Sequence, residues 1–214
     1  MRILQVIPTY LPATRHGGPV RAVHGLSKAL VERGHAVDVA TTQLEGSGVL
    51  DVPTDRPVEL DGVSVHYFPV HRPRRVGRSP AMARWFSVEI GRFDLVHLHS
   101  IFLWPTSSAA RAAERARRPW LISPRGMLVR DLFRRRGGLR KRLWLAVVER
   151  RTLEGAKRLI ATSELERSAA AEFGLRLPPI EILPNGVDPA ELDSRSGGLD
   201  AETEAYFAAA PTFL

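Results

Sequence analysis

Short apolar segments alternate with helical segments along most of this 214-residue chain. Strands that are apolar on both sides and alternate with helices are typical of a mostly parallel sheet with both faces covered, because each crossover helix must pack back onto the sheet. The pattern therefore predicts one Rossmann-like, doubly wound α/β domain. The predicted strands are residues 3–7, 36–41, 63–70, 93–100, 120–123, 158–162 and 180–183.

Four segments between these strands have helical spacing of apolar residues, namely 19–33, 106–118, 139–157 and 164–173. Gly34 follows the first of them and is predicted to cap its C-terminus. Asp61 and Gly62 predict a turn before the third strand, and residues 45–57 are predicted to form a loop.

The composition limits the class of protein. The chain contains no cysteine, which excludes disulfides, thiolate catalysis and zinc sites built on sulfur. No run of about 18 apolar residues is present, and the chain begins directly with a strand-like pattern, so neither a membrane span nor a signal peptide is predicted. We expect a soluble, cytoplasmic protein.

Basic residues exceed acidic ones by 31 to 23, which favours anionic partners such as phosphates, acidic lipid surfaces or nucleic acid. No platform of stacking aromatic residues and no helix-turn-helix pattern accompanies the charge, so nucleic acid is not a predicted partner.

Ligands of such sheets bind at the carboxyl ends of the strands. The loops there are predicted at residues 8–18, 97–105, 123–128, 163–164 and 184–188. In the first loop, Gly17 and Gly18 precede Pro19 at the start of a helix, and free backbone N–H groups there attract phosphate. An ordinary glycine turn is the alternative. The spacing is not GxGxxG and no acidic residue ends the second strand, so a dinucleotide dehydrogenase is disfavoured.

Three further loops carry candidate binding residues. His97 and His99 lie on the same side of one strand, with His99 at its carboxyl end, but no third ligand stands nearby, so no metal is predicted. Arg125 beside a glycine suits a phosphate or carboxylate, unless it is an ordinary surface arginine. Asn185 lies in a turn that exposes its amide.

The segment 130–151 is basic and has one apolar helical face. Arg140, Arg142 and Trp144 are its candidates for contact with an anionic membrane. Any solvated helix packed on a sheet produces the same pattern.

Taken in order, these loops resemble glycosyltransferase family 4 on the GT-B fold, over about residues 1–190. The resemblance lies in the strand, Gly-Gly loop and long helix of residues 3–35 and in five later motifs: FDLVHLH at 93–99, ISPRGML at 122–128, ERRTL at 149–153, ATSE at 161–164 and LPNGVD at 183–188. Many relatives have histidine where this chain has Arg125. The Ser-Pro-Arg-Gly-Met-Leu version resembles a subgroup linked to surface polysaccharide synthesis.

The resemblance implies roles for these residues. Gly17 and Gly18 would approach the donor's phosphates, while Tyr10, His99 and Arg125 would line the acceptor side. Asn185 would sit near the hinge between two domains.

It also implies an activity, the transfer of a hexosyl group from a UDP- or GDP-sugar to a glycan or lipid-linked acceptor, with retention of configuration and without a metal or other cofactor. Residues 1–190 would form the acceptor-side domain, and 191–214 a linker helix and the truncated start of a missing donor domain. The chain alone is then expected to be inactive. The alternative is a non-catalytic glycan- or lipid-binding module, or one subunit of a split transferase that pairs with a separate C-terminal domain.

Overall fold

The computed structural model describes residues 1–13, 17–72, 74–128 and 144–186. Strands and helices alternate in these residues. The strands are β1 (Arg2–Thr9), β2 (Ala36–Thr42), β3 (Leu44–Glu45), β4 (Gly48–Val49), β5 (Val58–Leu60), β6 (Val63–Phe68), β7 (Leu95–His99), β8 (Trp120–Ser123), β9 (Arg158–Ala161) and β10 (Ile180–Ile182). The α-helices are α1 (Gly17–Glu32), α2 (Pro80–Glu89), α3 (Trp104–Arg115), α4 (Arg150–Glu154) and α5 (Glu164–Ala171), and a π-helical segment, Leu145–Glu149, leads into α4.

Eight strands form one sheet in the order β10-β9-β8-β7-β1-β2-β6-β5. Every neighbouring pair is parallel except β5 and β6. This arrangement confirms the predicted doubly wound α/β fold.

Three elements differ from the prediction. β5 was not predicted, and it pairs antiparallel with β6 across the turn at Asp61 and Gly62. The segment predicted as loop begins with a short hairpin of β3 and β4. Helix α2 was also missed, although Ser79 accepts a hydrogen bond from the Met82 amide as its N-cap and Pro80 occupies its first turn.

The helix predicted over 139–157 ends earlier than expected. Residues 139–143 lie outside the described part of the chain, and α4 ends at Glu154. A side chain at the next position, Gly155, would meet the Trp120 ring at 2.6 Å. Strand β8 therefore packs where a continued helix would need space.

The helices cover the two faces of the sheet unequally. The crossover from β1 to β2 runs toward the β5 edge, whereas those after β6, β7 and β9 run toward β10. Because such crossovers are right-handed, α1 lies on one face and α2, α3 and α5 lie on the other, where α4 packs against α3. Each face has its own hydrophobic core.

Helix α1 ends as predicted. Gly34 has a φ of +81°, and its amide donates to the Val31 carbonyl at 2.8 Å. None of the helices that the structure describes is long and apolar enough to cross a bilayer.

Candidate functional site

A cleft of about 460 Å³ lies between α1 and the carboxyl-terminal parts of β8, β9 and β10. One side of α1 forms its first wall. The opposite wall comes from residues in and after the strands: His97, Ser123, Arg125, Ile160, Thr162, Leu183, Pro184, Asn185 and Gly186. The cleft therefore follows the α1 face of the sheet and opens at the carboxyl ends of β8, β9 and β10, where parallel sheets bind their ligands.

Arg125 lies in a tight turn after β8. Its φ is +55° and that of Gly126 is +75°, so two successive residues adopt the left-handed conformation. The Met127 amide closes the turn by donating to the Pro124 carbonyl at 3.3 Å. A non-glycine residue in this conformation is uncommon, and here it brings the guanidinium to the wall of the cleft.

The Arg125 guanidinium joins two other predicted site residues. Its Nη1 donates to Asn185 Oδ1 at 2.5 Å, and its Nη2 donates to His99 Nδ1 at 3.3 Å. The carboxyl ends of β7, β8 and β10 are thereby linked through one side chain. Arg125, His99 and Asn185 were predicted from separate loops, and the structure brings them together.

His99 is fully buried beneath Arg125 and does not line the cleft. A guanidinium can only donate, so Nδ1 of His99 must accept and its proton is on Nε2. That proton is donated to Gln5 Oε1 at 2.7 Å. The histidine thus supports the arginine from below.

His97 does line the cleft, and its Nε2 lies 2.9 Å from Ser123 Oγ. Its ring is 4.1 Å from that of His99 between centroids, so both face the same side of β7 as expected. Burial and the charge of Arg125 lower the pKa of His97 to about 3. Burial, His97 and Arg125 also hold the pKa of His99 well below its ordinary value. Both rings are neutral at neutral pH.

Glu166 fixes the turn that carries Arg125. Its Oε1 accepts from the Gly126 amide at 2.7 Å, and its Oε2 accepts from the amide and hydroxyl of Thr162 at 2.7 and 2.8 Å. Burial lowers the pKa of Arg125, and the nearby Glu166 carboxylate raises it. Glu166 was not among the site residues predicted from the sequence.

The predicted donor-phosphate residues stand at the start of α1. The helix begins at Gly17, and Gly18 is exposed, with no atom within 4 Å of the position that a Cβ would take. The backbone at Gly18 is therefore open to a ligand. Gly18 does not line the cleft, whose α1 wall runs from Ala22 to Glu32.

Tyr10 is placed differently from the expectation that it lines the acceptor side. Its ring is fully buried, and its hydroxyl lies 2.8 Å from His24 Nδ1. Nε2 of His24 in turn lies 2.8 Å from Asp61 Oδ2. Burial raises the pKa of Tyr10. In this structure Tyr10 therefore ties the first loop to α1, and contact with an acceptor stays a prediction.

Two of the membrane-facing candidates, Arg140 and Arg142, lie outside the described residues. The third, Trp144, is partly buried, and its indole N–H donates to Glu149 Oε1 at 3.0 Å. The same oxygen accepts from the Phe102 amide at 2.9 Å. Trp144 is therefore attached to the loop after β7.

In the described ranges, no three His, Asp or Glu side chains come close enough together to hold a metal ion. The expectation of metal-free chemistry stays a prediction.

The comparisons with known proteins cover most of the chain. A family model described as "Glycosyl transferase 4-like domain" matches residues 17–186. No curated protein sequence matches the chain.

Solved structures resemble the fold at low identity. HepE of Anabaena, crystallised with UDP and glucose or with UDP-glucose, is 18% identical with a TM-score of 0.57, and the match covers 91% of this chain and 48% of that one. Sucrose-phosphate synthase from Thermosynechococcus elongatus is 16% identical with a TM-score of 0.63, covering 88% of this chain and 49% of that one. This chain thus spans about half the length of these proteins.

Proposed function

Since this chain belongs to the glycosyl transferase 4-like domain family, we propose that it is the acceptor-side half of an enzyme that transfers a hexosyl group. The donor is a UDP- or GDP-sugar, and the acceptor is a hydroxyl of a glycan or lipid-linked sugar. The bond from the anomeric carbon to the diphosphate breaks, a bond to the acceptor oxygen forms, and the nucleoside diphosphate leaves with the proton of the acceptor hydroxyl.

The observation that carries this proposal is the Arg125 guanidinium on the cleft wall, held by His99 and Asn185. Because His97 and His99 are neutral, the positive charge on this wall of the cleft comes from Arg125, and Lys28 lies on the α1 wall. Cations and backbone N–H groups that face a developing negative charge stabilise a departing diphosphate, and orientation of two substrates supplies much of the remaining rate. No protein nucleophile and no metal is needed.

The donor-binding half would lie outside this chain. Residues 17–186 match the family, and the matched solved structures are about twice as long. We propose that residues 1–190 form the acceptor-side domain, with 191–214 leading toward a second domain. Without the cations of that domain, the isolated chain is expected to show negligible transfer.

The test mixes the purified chain with candidate C-terminal domains and measures sugar transfer from radiolabelled UDP- and GDP-sugars. Transfer only in the mixture supports the proposal. The test variant is Arg125→Gln, which removes the charge, retains a polar side chain and should lower transfer in the mixture. Robust transfer by the chain alone would contradict the division between two halves. Saturable glycan binding with no transfer in any mixture would favour a non-catalytic binding module instead.

The proposal has three finer parts: retention of configuration, a role in surface polysaccharide synthesis, and a cytoplasmic location at the inner face of a membrane.

Contact with anionic lipid through Arg140, Arg142 and Trp144 is tested by liposome sedimentation. Trp144→Ala combined with charge reversal at both arginines should reduce pelleting with anionic vesicles. Equal pelleting of parent and variant would show that these residues do not contact the membrane.

A further inference from the structure

A second groove, of about 400 Å³, runs between α2 and α3. These helices cover the face of the sheet opposite α1, so the groove is separate from the cleft described above. Its lining combines basic, hydroxyl and apolar side chains and contains no carboxylate.

Two guanidinium groups stand on one side of the groove. Arg111 and Arg115 are exposed and one turn apart on α3, a spacing that places side chains about 5–6 Å apart on the same helix face. Neither forms a salt bridge within the described residues. The acidic residue between them, Glu114, is held by Arg151 through two hydrogen bonds of 2.8 and 3.0 Å.

One carboxyl group, that of Glu149, interacts electrostatically with Arg111. The buried Glu149 has its pKa raised by burial and lowered in part by the charge of Arg111. It lies outside the groove lining, so the groove itself presents positive charge to solvent.

The other side and the floor are apolar. Ile90 is buried at the floor, and Val88, on α2, is 73% exposed at the rim. Trp104 lies at the end of the groove where α3 begins, partly buried against the core. A free phosphate has nothing to contact on these surfaces, whereas a phosphate carried by an apolar chain contacts both walls.

We infer that the groove between α2 and α3 binds the phosphate group of an anionic phospholipid at a membrane surface. Arg111 and Arg115 hold the phosphate, and the exposed Val88 side chain at the rim contacts the acyl boundary. Paired arginines suit phosphate because their N–H groups form a planar fork. This site is independent of the proposed transfer reaction and of the Arg140 segment.

The test is sedimentation of the full chain with vesicles of phosphatidylcholine alone and of phosphatidylcholine with phosphatidylglycerol. The test variant is Arg111→Gln with Arg115→Gln, and the matched control is Arg56→Gln with Arg72→Gln, which removes two charges from exposed loop positions. A basic residue near an anionic surface contributes about 1 kcal/mol, so the test variant should partition about 30-fold less onto the anionic vesicles. The control should bind as the parent does, and unfolding midpoints should match.

Three results would overturn the inference: equal binding of parent and test variant, an equal loss in the control pair, or no preference for the anionic vesicles. Inorganic phosphate and duplex DNA serve as competing probes. Saturable binding of either one that the test variant loses, without vesicle binding by the parent, would assign the groove to that ligand and contradict the lipid.

Discussion

Gly18 offers a substitution that separates donor binding from folding. A Cβ at this position would meet no atom within 4 Å, and the residue lies in the first turn of α1. Gly18→Leu therefore introduces no clash, and replacing glycine in a helix favours folding by about 0.5–1 kcal/mol. The unfolding midpoint should stay constant or rise by about 1–4 °C for a domain of this size.

Donor binding should change in the opposite direction. A leucine side chain would stand in the open space in front of the helix N-terminus, where we expect the diphosphate of the donor. The interaction of an anion with a helix N-terminus contributes up to about 2 kcal/mol, so the Kd for UDP should rise by up to about 30-fold. Saturation-transfer NMR of UDP with the chain measures this, since half of a binding site is expected to bind weakly.

Gly91→Leu is the matched control. Gly91 is also free of neighbours within 4 Å, but it lines the groove between α2 and α3, on the face of the sheet opposite α1. It should retain UDP binding. If Gly18→Leu bound UDP as the parent does, or if both variants lost binding equally, the assignment of the donor phosphates to the α1 N-terminus would be refuted.

Three further predictions concern stability. Glu166→Ala leaves three donors, which are at most partly buried, without their acceptor and should lower the free energy of unfolding by about 1–3 kcal/mol, a midpoint decrease of about 2–12 °C in a thermal melt, with Glu166→Gln losing less. Gly155→Ala places a methyl group 2.6 Å from the Trp120 ring and should cost about 1–3 kcal/mol in urea unfolding; a neutral result would contradict the packing. His97 has its pKa lowered to about 3, so below pH 6.5 the unfolded chain binds a proton that the folded chain does not. His97 should therefore lower the free energy of unfolding by up to about 1.4 kcal/mol per pH unit as pH decreases from 6.5 toward 3, His99 should add a fall of its own, and His97→Gln should remove the first share.

The seven predicted strands could be found from sequence because parallel strands covered on both faces are short, continuous apolar runs. β5 has only three residues, Val58–Leu60, and half-exposed short strands give no such run. Helix α2 did carry signals, a serine and proline at its start and Met82 and Phe86 four residues apart on its buried face. These signals were missed because the helix is short and lies between two strands.

The candidate site likewise contains residues that could be predicted from the sequence and residues that could not. Arg125, His99 and Asn185 could be predicted because the carboxyl ends of parallel strands meet at one edge. Gln5 could not, because it reaches His99 across 94 residues of sequence through the pairing of β1 with β7. Glu166 stands three residues after Ser163 in a capping-box spacing, so the sequence does place it at a helix start. Its bond to the Gly126 amide, 40 residues away, depends on the assembled sheet.

The most direct test of the account is a titration of the ¹⁵N-labelled chain with UDP, followed by amide chemical shifts. The Gly17 and Gly18 amides are expected to shift most, followed by those of residues around Arg125. Saturable shifts confined to other parts of the chain, with both glycine amides unmoved, would contradict the claim that the start of α1 forms half of the donor's diphosphate site.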